Sequence, residues 1–201
     1  YSGTGAQPTG IAFDGVNMWT ANQGNSVSKI SPTGEITTYT DEVNLSQPIG
    51  IAFDGVNMWV ANANGDSVTK VSPTGEMINY YIGENIGPYG IAFDGVNMWT
   101  ANQDGNSVSK ISPAGDITTY PGTGNGAFGI AFDGVNMWVT NSGDSSVTKV
   151  SPTGDMTTYA GTGAYPYFIT FDGTNMWTAN VGGESVTKIN VATFDMVTYS
   201  N

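Results

Sequence analysis

Carboxylates are the groups of this chain best suited to chemistry, because its 201 residues include 17 Asp and Glu but no His and no Cys. Without imidazole and thiol groups the chain cannot form a Ser-His-Asp triad, a Cys nucleophile, a thiolate or imidazole metal site, or a disulfide. The formal net charge of -12 repels nucleic-acid phosphates and anionic membranes. We therefore expect no nucleic-acid partner, no membrane insertion, no metal and no cofactor.

A ten-residue motif recurs along the sequence. It runs from Gly10 to Trp19 and recurs unchanged from Gly50, Gly90 and Gly129, then in altered form from Phe168 to Trp177. The steps of 40, 40, 39 and 39 residues divide the chain into five units. Repeats of this length are typical of solenoids and propellers, so the repeat sets the fold class.

Each unit contains four short segments rich in β-branched or aromatic residues, which in the first unit are 11–13, 18–21, 27–30 and 36–39. Gly-rich turn sequences separate them, and no segment has the 3.6-residue period of a helix. The sequence therefore predicts an all-β fold, a five-bladed β-propeller with four antiparallel strands per blade. We expect a single domain over residues 1–201, with blades at about 10–40, 50–80, 90–120, 129–159 and 168–200.

The blades are expected to close into a ring rather than to form an open stack. The first and last units keep Trp19 and Trp177, whereas the terminal units of a solenoid usually become polar caps. Tyr1 aligns with Tyr120 and Tyr159, which end a fourth strand in their own units. The chain is therefore expected to begin between two blades.

Most repeated side chains are interpreted as structural. The Asp of each Phe-Asp-Gly sequence is expected to accept backbone N–H bonds in a turn, and the Trp and Met that follow it are expected to pack between blades. The Lys residues occupy one position of the third strand, where they are expected to pair with acids or to protect a strand from edge pairing. They are Lys29, Lys70, Lys110, Lys149 and Lys188.

The loops that enter each blade lie on the face where the units differ, which we call the entering face. All acidic residues outside the repeated positions fall there, namely Asp41, Glu42, Asp66, Glu84, Asp104, Asp144 and Glu184. The spacing from the Tyr of one blade to the first Ile of the next also varies, from 10 to 12 residues. Binding is therefore predicted on the entering face, since the opposite turns are near copies of one another.

One unit closely resembles a blade of a known family. The sequences Pro-Tyr-Gly-Ile from Pro88, Asn-Met-Trp-Thr-Ala-Asn from Asn97, Asn-Ser-Val-Ser-Lys-Ile from Asn106 and Gly-Asp-Ile-Thr-Thr-Tyr from Gly115 are similar to the streptogramin B (virginiamycin B) lyase propellers. The likeness covers all five units and extends to the NHL and YVTN propellers. For members with lyase activity, the resemblance implies seven blades and opening of a lactone ring by proton abstraction. It also implies His in entering loops, a Glu ending a second strand and a divalent metal.

This chain departs from the lyase pattern at both kinds of catalytic position. The positions that match the His read Thr9, Ile49, Tyr89, Phe128 and Tyr167, and none of these side chains acts as a base at neutral pH. The positions that match the Glu read Asn22, Asn62, Asn102, Asn141 and Asn180, whose amides have no proton to exchange. The sequence therefore predicts the propeller architecture of this family but no lyase activity.

The same positions predict a binding site. Tyr89, Phe128 and Tyr167, with Tyr165 nearby, are expected to surround the ring axis beside the five Asn of the second strands. Flat aromatic rings next to neutral amides suit a carbohydrate or an extended peptide. The alternative is that the aromatic side chains only fill a narrow axis.

We therefore expect a non-enzymatic binding or interaction scaffold. The absence of Cys, the abundance of Thr, Ser, Asn and Gly, and the acidic balance suit an extracellular or cell-surface bacterial protein, whose partners would include other domains of a larger parent. Two alternatives stay open: a lyase-like or hydrolytic enzyme that uses carboxylates alone, and an engineered or recently amplified repeat propeller with no selected ligand.

Overall fold

The computed structural model describes residues 3–200 and consists of five separate four-stranded sheets. Every sheet follows the order of the sequence, and every pair of neighbouring strands is antiparallel. The predicted all-β, five-bladed propeller is thus confirmed. None of the described residues forms a helix that could span a membrane.

The strands of the five blades have the following bounds. Blade 1 consists of β1 (Pro8–Phe13), β2 (Met18–Asn22), β3 (Ser26–Ile30) and β4 (Ile36–Thr40). Blade 2 consists of β5 (Pro48–Phe53), β6 (Met58–Asn62), β7 (Ser67–Val71) and β8 (Met77–Tyr81). Blade 3 consists of β9 (Pro88–Phe93), β10 (Met98–Asn102), β11 (Ser107–Ile111) and β12 (Ile117–Pro121). Blade 4 consists of β13 (Ala127–Phe132), β14 (Met137–Asn141), β15 (Ser146–Val150) and β16 (Met156–Ala160). Blade 5 consists of β17 (Pro166–Phe171), β18 (Asn175–Asn180), β19 (Ser185–Asn190) and β20 (Met196–Ser200).

The turn between the first two strands of each blade is built around the repeated Asp. In blade 3, Asp94 Oδ1 accepts hydrogen bonds from the backbone N–H of Val96 (2.8 Å) and Asn97 (2.6 Å), and its Oδ2 accepts one from Trp99 Nε1 (2.7 Å). Burial raises the pKa of Asp94, but these bonds outweigh it and hold the pKa below its ordinary value. The predicted turn role is confirmed, and the same carboxylate also fixes the orientation of the tryptophan.

Successive blades are joined by an apolar junction between two defined faces. The trailing face of blade 3 carries Trp99, Ala101, Val108 and Tyr120, and it packs against the leading face of blade 4, which carries Ile130, Phe132, Met137 and Val150. The same pairs of positions join blades 1 and 2. The Trp and Met of the repeat therefore pack between blades, as predicted.

The first strands of successive blades lie side by side near the axis, and glycine allows them to approach closely. A Cβ added to Gly90 would lie 2.4 Å from the carbonyl oxygen of Phe128 in the next blade. The equivalent distances at the other blades are 2.5 Å (Gly10), 2.4 Å (Gly50) and 2.3 Å (Gly129). The equivalent residue of blade 5 is Phe168, so the glycine that the other four blades have at this position is absent from blade 5.

The expected closure of the ring is wrong. Within residues 3–200, blades 5 and 1 do not form the junction that joins the other neighbours. On the leading face of blade 1, Ile11 is 65% and Met18 is 37% exposed, against 8% for Ile51 and 1% for Met58 in blade 2. Residues 3–200 therefore form an open arc of five blades.

The trailing face of blade 5 is open in the same way. Val186 and Tyr199 are exposed and Trp177 is only partly buried, whereas Trp19, Trp59, Trp99 and Trp138 are buried. Trp177 therefore does not share the packing expected for all five tryptophans. The interpretation of Tyr1 as the end of a fourth strand lies outside the described residues.

The lysines do not form the expected pairs with acids within residues 3–200, and their strand lies inside the sheet rather than at an edge. The ammonium group of Lys110 lies 5.2 Å from the centre of the Trp99 ring and donates a hydrogen bond to the carbonyl oxygen of Pro152 (3.0 Å). Lys29 makes the equivalent contacts with Trp19 and Pro73. Each of these two lysines therefore covers the tryptophan of its own blade through a cation–π contact. Each bridges to the next blade through the hydrogen bond that it donates to a proline carbonyl oxygen.

Candidate functional site

The predicted aromatic site is positioned by a bulge at the start of the first strand. In blade 3, Pro88 pairs with Asn102 and Gly90 pairs with Ala101, which leaves Tyr89 as an extra residue. The registers of the other first strands shift at the same place. Because a bulge re-aims the extra side chain, it brings this position of each blade toward the axis.

The structure brings the three predicted aromatic residues together. The ring centres of Tyr89 and Phe128 are 5.1 Å apart, and those of Phe128 and Tyr167 are 4.4 Å apart with an interplanar angle of 11°. Phe168 meets Phe128 edge-on at 6.1 Å. Tyr165 instead lies over Gly182 in the loop after β18. The rings therefore form one aromatic stack centred on Phe128, which contacts Tyr89, Tyr167 and Phe168.

A cavity of about 590 Å³ lies along the axis beside this stack. Its lining combines Tyr89, Phe128 and Phe168 with Gln23, Thr9, Ile49 and the Gly-Ile segments of the first strands. The Thr9 hydroxyl is already engaged with carbonyl oxygens, including that of Ile49 at 3.0 Å. The cavity is thus mainly apolar, and Gln23 and the Tyr89 hydroxyl supply its polar character.

Tyr89 is a neutral hydrogen-bonding group in this setting. Burial raises the pKa of its phenol, and the nearby Asp104 carboxylate and Tyr167 raise it further. The hydroxyl therefore stays protonated at neutral pH and can both donate and accept a hydrogen bond. Sequence reasoning identified Tyr89 but missed Gln23 and Phe168, because Gln23 follows a strand that otherwise reads as repeat and Phe168 occupies a glycine position.

The structure separates the five Asn from the aromatic stack. Asn102 is buried, and its Nδ2 donates to Ser107 Oγ (3.0 Å) and Ser109 Oγ (2.9 Å), while its Oδ1 accepts from Thr100 Oγ1 (2.7 Å). Asn22, Asn62, Asn141 and Asn180 are also buried, with the same two donor bonds. These amides tie the second strand to the third within each blade, so their donors are committed to the fold.

The side-chain oxygens of two of these asparagines accept no hydrogen bond. Asn62 Oδ1 and Asn141 Oδ1 are buried and accept no hydrogen bond from any residue of the described part of the chain, 3–200. In the other three blades the residue two positions earlier is Thr20, Thr100 or Thr178, whose hydroxyl donates to the Asn. In blades 2 and 4 that residue is Val60 or Val139, so the orphaned oxygens follow from these two exchanges.

We predict that Val60→Thr, and separately Val139→Thr, raises the free energy of unfolding by about 1 kcal/mol, the net value of a typical hydrogen bond. The matched control is Thr100→Val, which should lower it by about 1–3 kcal/mol because it orphans a buried acceptor. Chemical denaturation of the three variants checks both signs. If Val60→Thr and Thr100→Val shift stability in the same direction, this account of the amides is wrong.

Comparison with known proteins identifies the architecture. A model of the Virginiamycin B lyase family matches residues 2–130. The chain belongs to this family. No curated protein matches it significantly. The resemblance drawn from the blade motifs is thereby confirmed.

Solved propellers agree with the lyase family assignment. A streptogramin B lyase is 21% identical and superposes with a TM-score of 0.88, covering 100% of this chain and 70% of its own. A catalytically inactive virginiamycin B lyase from Staphylococcus aureus with quinupristin is 20% identical with a TM-score of 0.88, covering 100% and 71%. A chain of a nidogen/laminin complex is 18% identical with a TM-score of 0.80, covering 96% and 80%. The five blades therefore keep the spacing of part of a larger propeller, in agreement with the open arc.

Proposed function

We propose that this member of the lyase family is a non-catalytic binding propeller, which holds an apolar or aromatic side chain of an extended peptide in the axial cavity. The observation that supports it is the cavity itself, about 590 Å³ in volume and bordered by Tyr89, Phe128 and Phe168. Ligand pockets are typically concave and mostly apolar, with a few polar groups that orient the ligand. Here those groups are the Tyr89 hydroxyl and the Gln23 amide.

The same chemistry favours a peptide over a carbohydrate. A sugar presents many hydroxyl groups, each of which needs a partner once it leaves water. The five Asn that would have supplied such partners are buried and already bonded within their blades. An apolar side chain needs only the surface that the aromatic and isoleucine side chains offer. The extracellular or cell-surface location expected from composition is part of this proposal.

The carboxylates of the entering face support a role without catalysis. Asp66 accepts hydrogen bonds from the backbone N–H of Asn85 (2.9 Å), Ile86 (2.8 Å) and Gly87 (2.8 Å). Asp144 accepts from the backbone N–H of Asn125 (2.9 Å) and from Ser146 Oγ (2.6 Å). These acids hold the loops between blades, and a general base would have to give up such bonds to act.

Two binding screens test the site. The first uses a peptide library with aromatic and aliphatic residues at varied spacing, and the second uses a glycan array. We predict that a peptide selected on the wild type loses affinity at least about 10-fold in a Tyr89→Ala, Phe128→Ala double variant, because buried aromatic contacts dominate binding energy. Salt should change the affinity little, since among residues 3–200 no charged side chain lines the cavity.

The matched control for binding is Val56→Ala with Val96→Ala, two exposed side chains on the opposite turns. This variant should bind the selected peptide as the wild type does. If the double variant of the cavity binds unchanged, or if a glycan is selected and no peptide, the proposed site or ligand class is wrong.

A second prediction concerns chemistry: the chain should not open streptogramin B, with or without added Mg²⁺. The reason is that no His stands anywhere in the sequence and the positions that match the lyase Glu are Asn. Mass spectrometry of the incubated lactone measures the product. Turnover above that of buffer, abolished by Asp66→Asn or Glu184→Gln, would instead establish an enzyme that uses carboxylates alone.

A further inference from the structure

A second cavity, of about 390 Å³, lies between blades 2 and 3 at the turns opposite the entering face, and we call it the junction groove. Its lining includes Trp59 and Lys70 of blade 2 with Phe93, Val96, Met98 and Pro113 of blade 3. Both blades are internal to the arc, and each has a neighbouring blade on either side. The groove is therefore part of a complete junction.

The lysine of the groove lacks a contact that two of its counterparts make. Lys29 and Lys110 each donate a hydrogen bond to a proline carbonyl oxygen of the next blade, at 3.2 Å and 3.0 Å. Lys70 lies 5.4 Å from the centre of the Trp59 ring, but it donates no hydrogen bond to Pro113 or to any other acceptor within residues 3–200. Its N–H donors are therefore available to a ligand in the groove.

The turn that carries Pro113 also stands slightly farther from the preceding blade than the equivalent turns do. A Cβ added to Gly115 would lie 2.6 Å from the Tyr80 ring of blade 2. The equivalent distances from Gly75 and Gly154 to the tyrosines of their preceding blades are both 2.2 Å. The junction of blades 2 and 3 is thus wider at this end, in agreement with the missing lysine contact.

A carboxylate, Asp54, also lines the groove, but its acceptor sites are used within its own turn. It accepts hydrogen bonds from the backbone N–H of Val56 (2.7 Å) and Asn57 (2.6 Å), and from Asn57 Nδ2 (3.3 Å) and Trp59 Nε1 (2.6 Å). A carboxylate has about four lone-pair sites, so these four donors fill them. The charged group of the groove that can still bind a partner is Lys70.

The apolar part of the lining combines buried and exposed side chains. Trp59 and Met98 are buried, whereas Val56 is 65% and Val96 is 63% exposed. The volume is near the low end of the range for ligand pockets, roughly 300–1,000 Å³. An open groove of this size, with an apolar surface and one free cation, suits a single apolar group that carries a carboxylate.

We propose that the junction groove binds the C-terminal residue of a peptide, with its α-carboxylate on the Lys70 ammonium and its apolar or aromatic side chain against Phe93 and Val96. The α-carboxylate and the side chain of a terminal residue leave the same carbon atom, which matches a cation beside an apolar surface. Exposed acids in the neighbouring turns, Glu76 and Asp116, favour a peptide with basic residues before its last residue over a small carboxylic acid. This inference does not depend on the axial binding site.

The probe is acetyl-Lys-Gly-Phe with a free C-terminal carboxylate, and its control is the same peptide with a C-terminal amide. Heteronuclear NMR of the backbone amides follows the titration and locates the bound peptide. We expect shifts at Val56, Gly95 and Val96, and an affinity for the acid about 5-fold above that for the amide, the usual effect of one partly exposed ion pair. Added salt should reduce this preference.

Replacing Lys70 tests the ion pair directly. Lys70→Met removes the charge but keeps an unbranched side chain, and it should reduce the preference for the acid to below about 2-fold. The matched control is Lys110→Met, which should leave the preference as in the wild type because that lysine is bound to the next blade. Lys70→Gln is a second variant, so that poor folding of the first leaves the question decidable. If the acid keeps its preference in both Lys70 variants, or if acid and amide bind the wild type equally, the proposal is wrong.

Three further outcomes also overturn the proposal. If the shifts are lost in the Tyr89→Ala, Phe128→Ala double variant, the probe binds in the axial cavity. If phenylpropionate binds the groove as tightly as the peptide acid, the ligand is a small carboxylic acid. If neither compound shifts the amides of the groove, it does not bind this class of carboxylate. A peptide held in the axial cavity should leave Gly95 and Val96 unshifted, so failure of one site is distinguishable from failure of the other.

Discussion

Replacing Trp99 by Ala is expected to lower the free energy of unfolding by about 3–5 kcal/mol, the usual effect of truncating a fully buried large aromatic. Trp99 is 0% exposed at the junction of blades 3 and 4. Its ring stacks on Tyr120 with centres 5.9 Å apart, and its Nε1 donates to Asp94 at 2.7 Å. The variant would lose this packing, leave a cavity between two blades and remove one donor from a partly buried carboxylate.

The matched control is Trp177→Ala. Trp177 keeps the same hydrogen bond, to Asp172 at 2.6 Å, and the same stacking, on Tyr199 at 6.1 Å. Within residues 3–200, however, no neighbouring blade covers it, and its side chain is only partly buried. We expect a loss of about 1–2 kcal/mol, in the ordinary range for a partly exposed side chain. Urea unfolding followed by circular dichroism compares the two variants. Equal losses would mean that Trp177 is buried in solution and that the arc is closed.

The blade structure could be predicted from the sequence because local and repeated signals agree. The Asp-Gly turns, the β-branched segments and the constant Trp all specify the same four-stranded unit, and the structure places the strands where they were expected. Whether the five blades close into a ring could not be predicted from these local signals. The Trp177 of the sequence predicts a neighbouring blade, whereas the exposure of Trp177 and of the leading face of blade 1 depends on contacts between blades that a repeated sequence does not specify.

The site was predictable only in part. The aromatic residues before each Gly-Ile were identified from the sequence, and the bulge brings Tyr89, Phe128 and Tyr167 together. The five Asn were expected beside them because they end strands on the same face. Their side chains instead turn into the blade, where Ser and Thr hydroxyls satisfy them. Position along a strand fixes the end of the sheet on which a residue lies, but not whether its side chain faces the axis or the neighbouring strand.

A Gly90→Ala variant is expected to lose about 3 kcal/mol of stability, the upper end of the usual effect of overpacking, although the change adds only one methyl group. Gly90 lies in a strand with ordinary backbone angles, where replacing glycine normally favours folding by reducing the freedom of the unfolded chain. The added Cβ would lie 2.4 Å from the Phe128 carbonyl oxygen, and a backbone oxygen cannot move without separating two blades. Overpacking against such a rigid neighbour reverses the usual sign.

Phe168→Ala changes the equivalent position of blade 5 and provides the control for Gly90→Ala. Within residues 3–200 no further blade packs against this position, so shortening its largely exposed side chain should change stability by less than about 1 kcal/mol. Thermal unfolding of the two variants is the measurement. It distinguishes whether glycine is needed at this strand position in every blade or only where the next blade approaches closely. Gly90 pairs with Ala101 and Phe168 pairs with Ala179, so the two residues hold the same position of the first strand. A Gly90→Ala protein as stable as the wild type would show that the first strands do not approach as described.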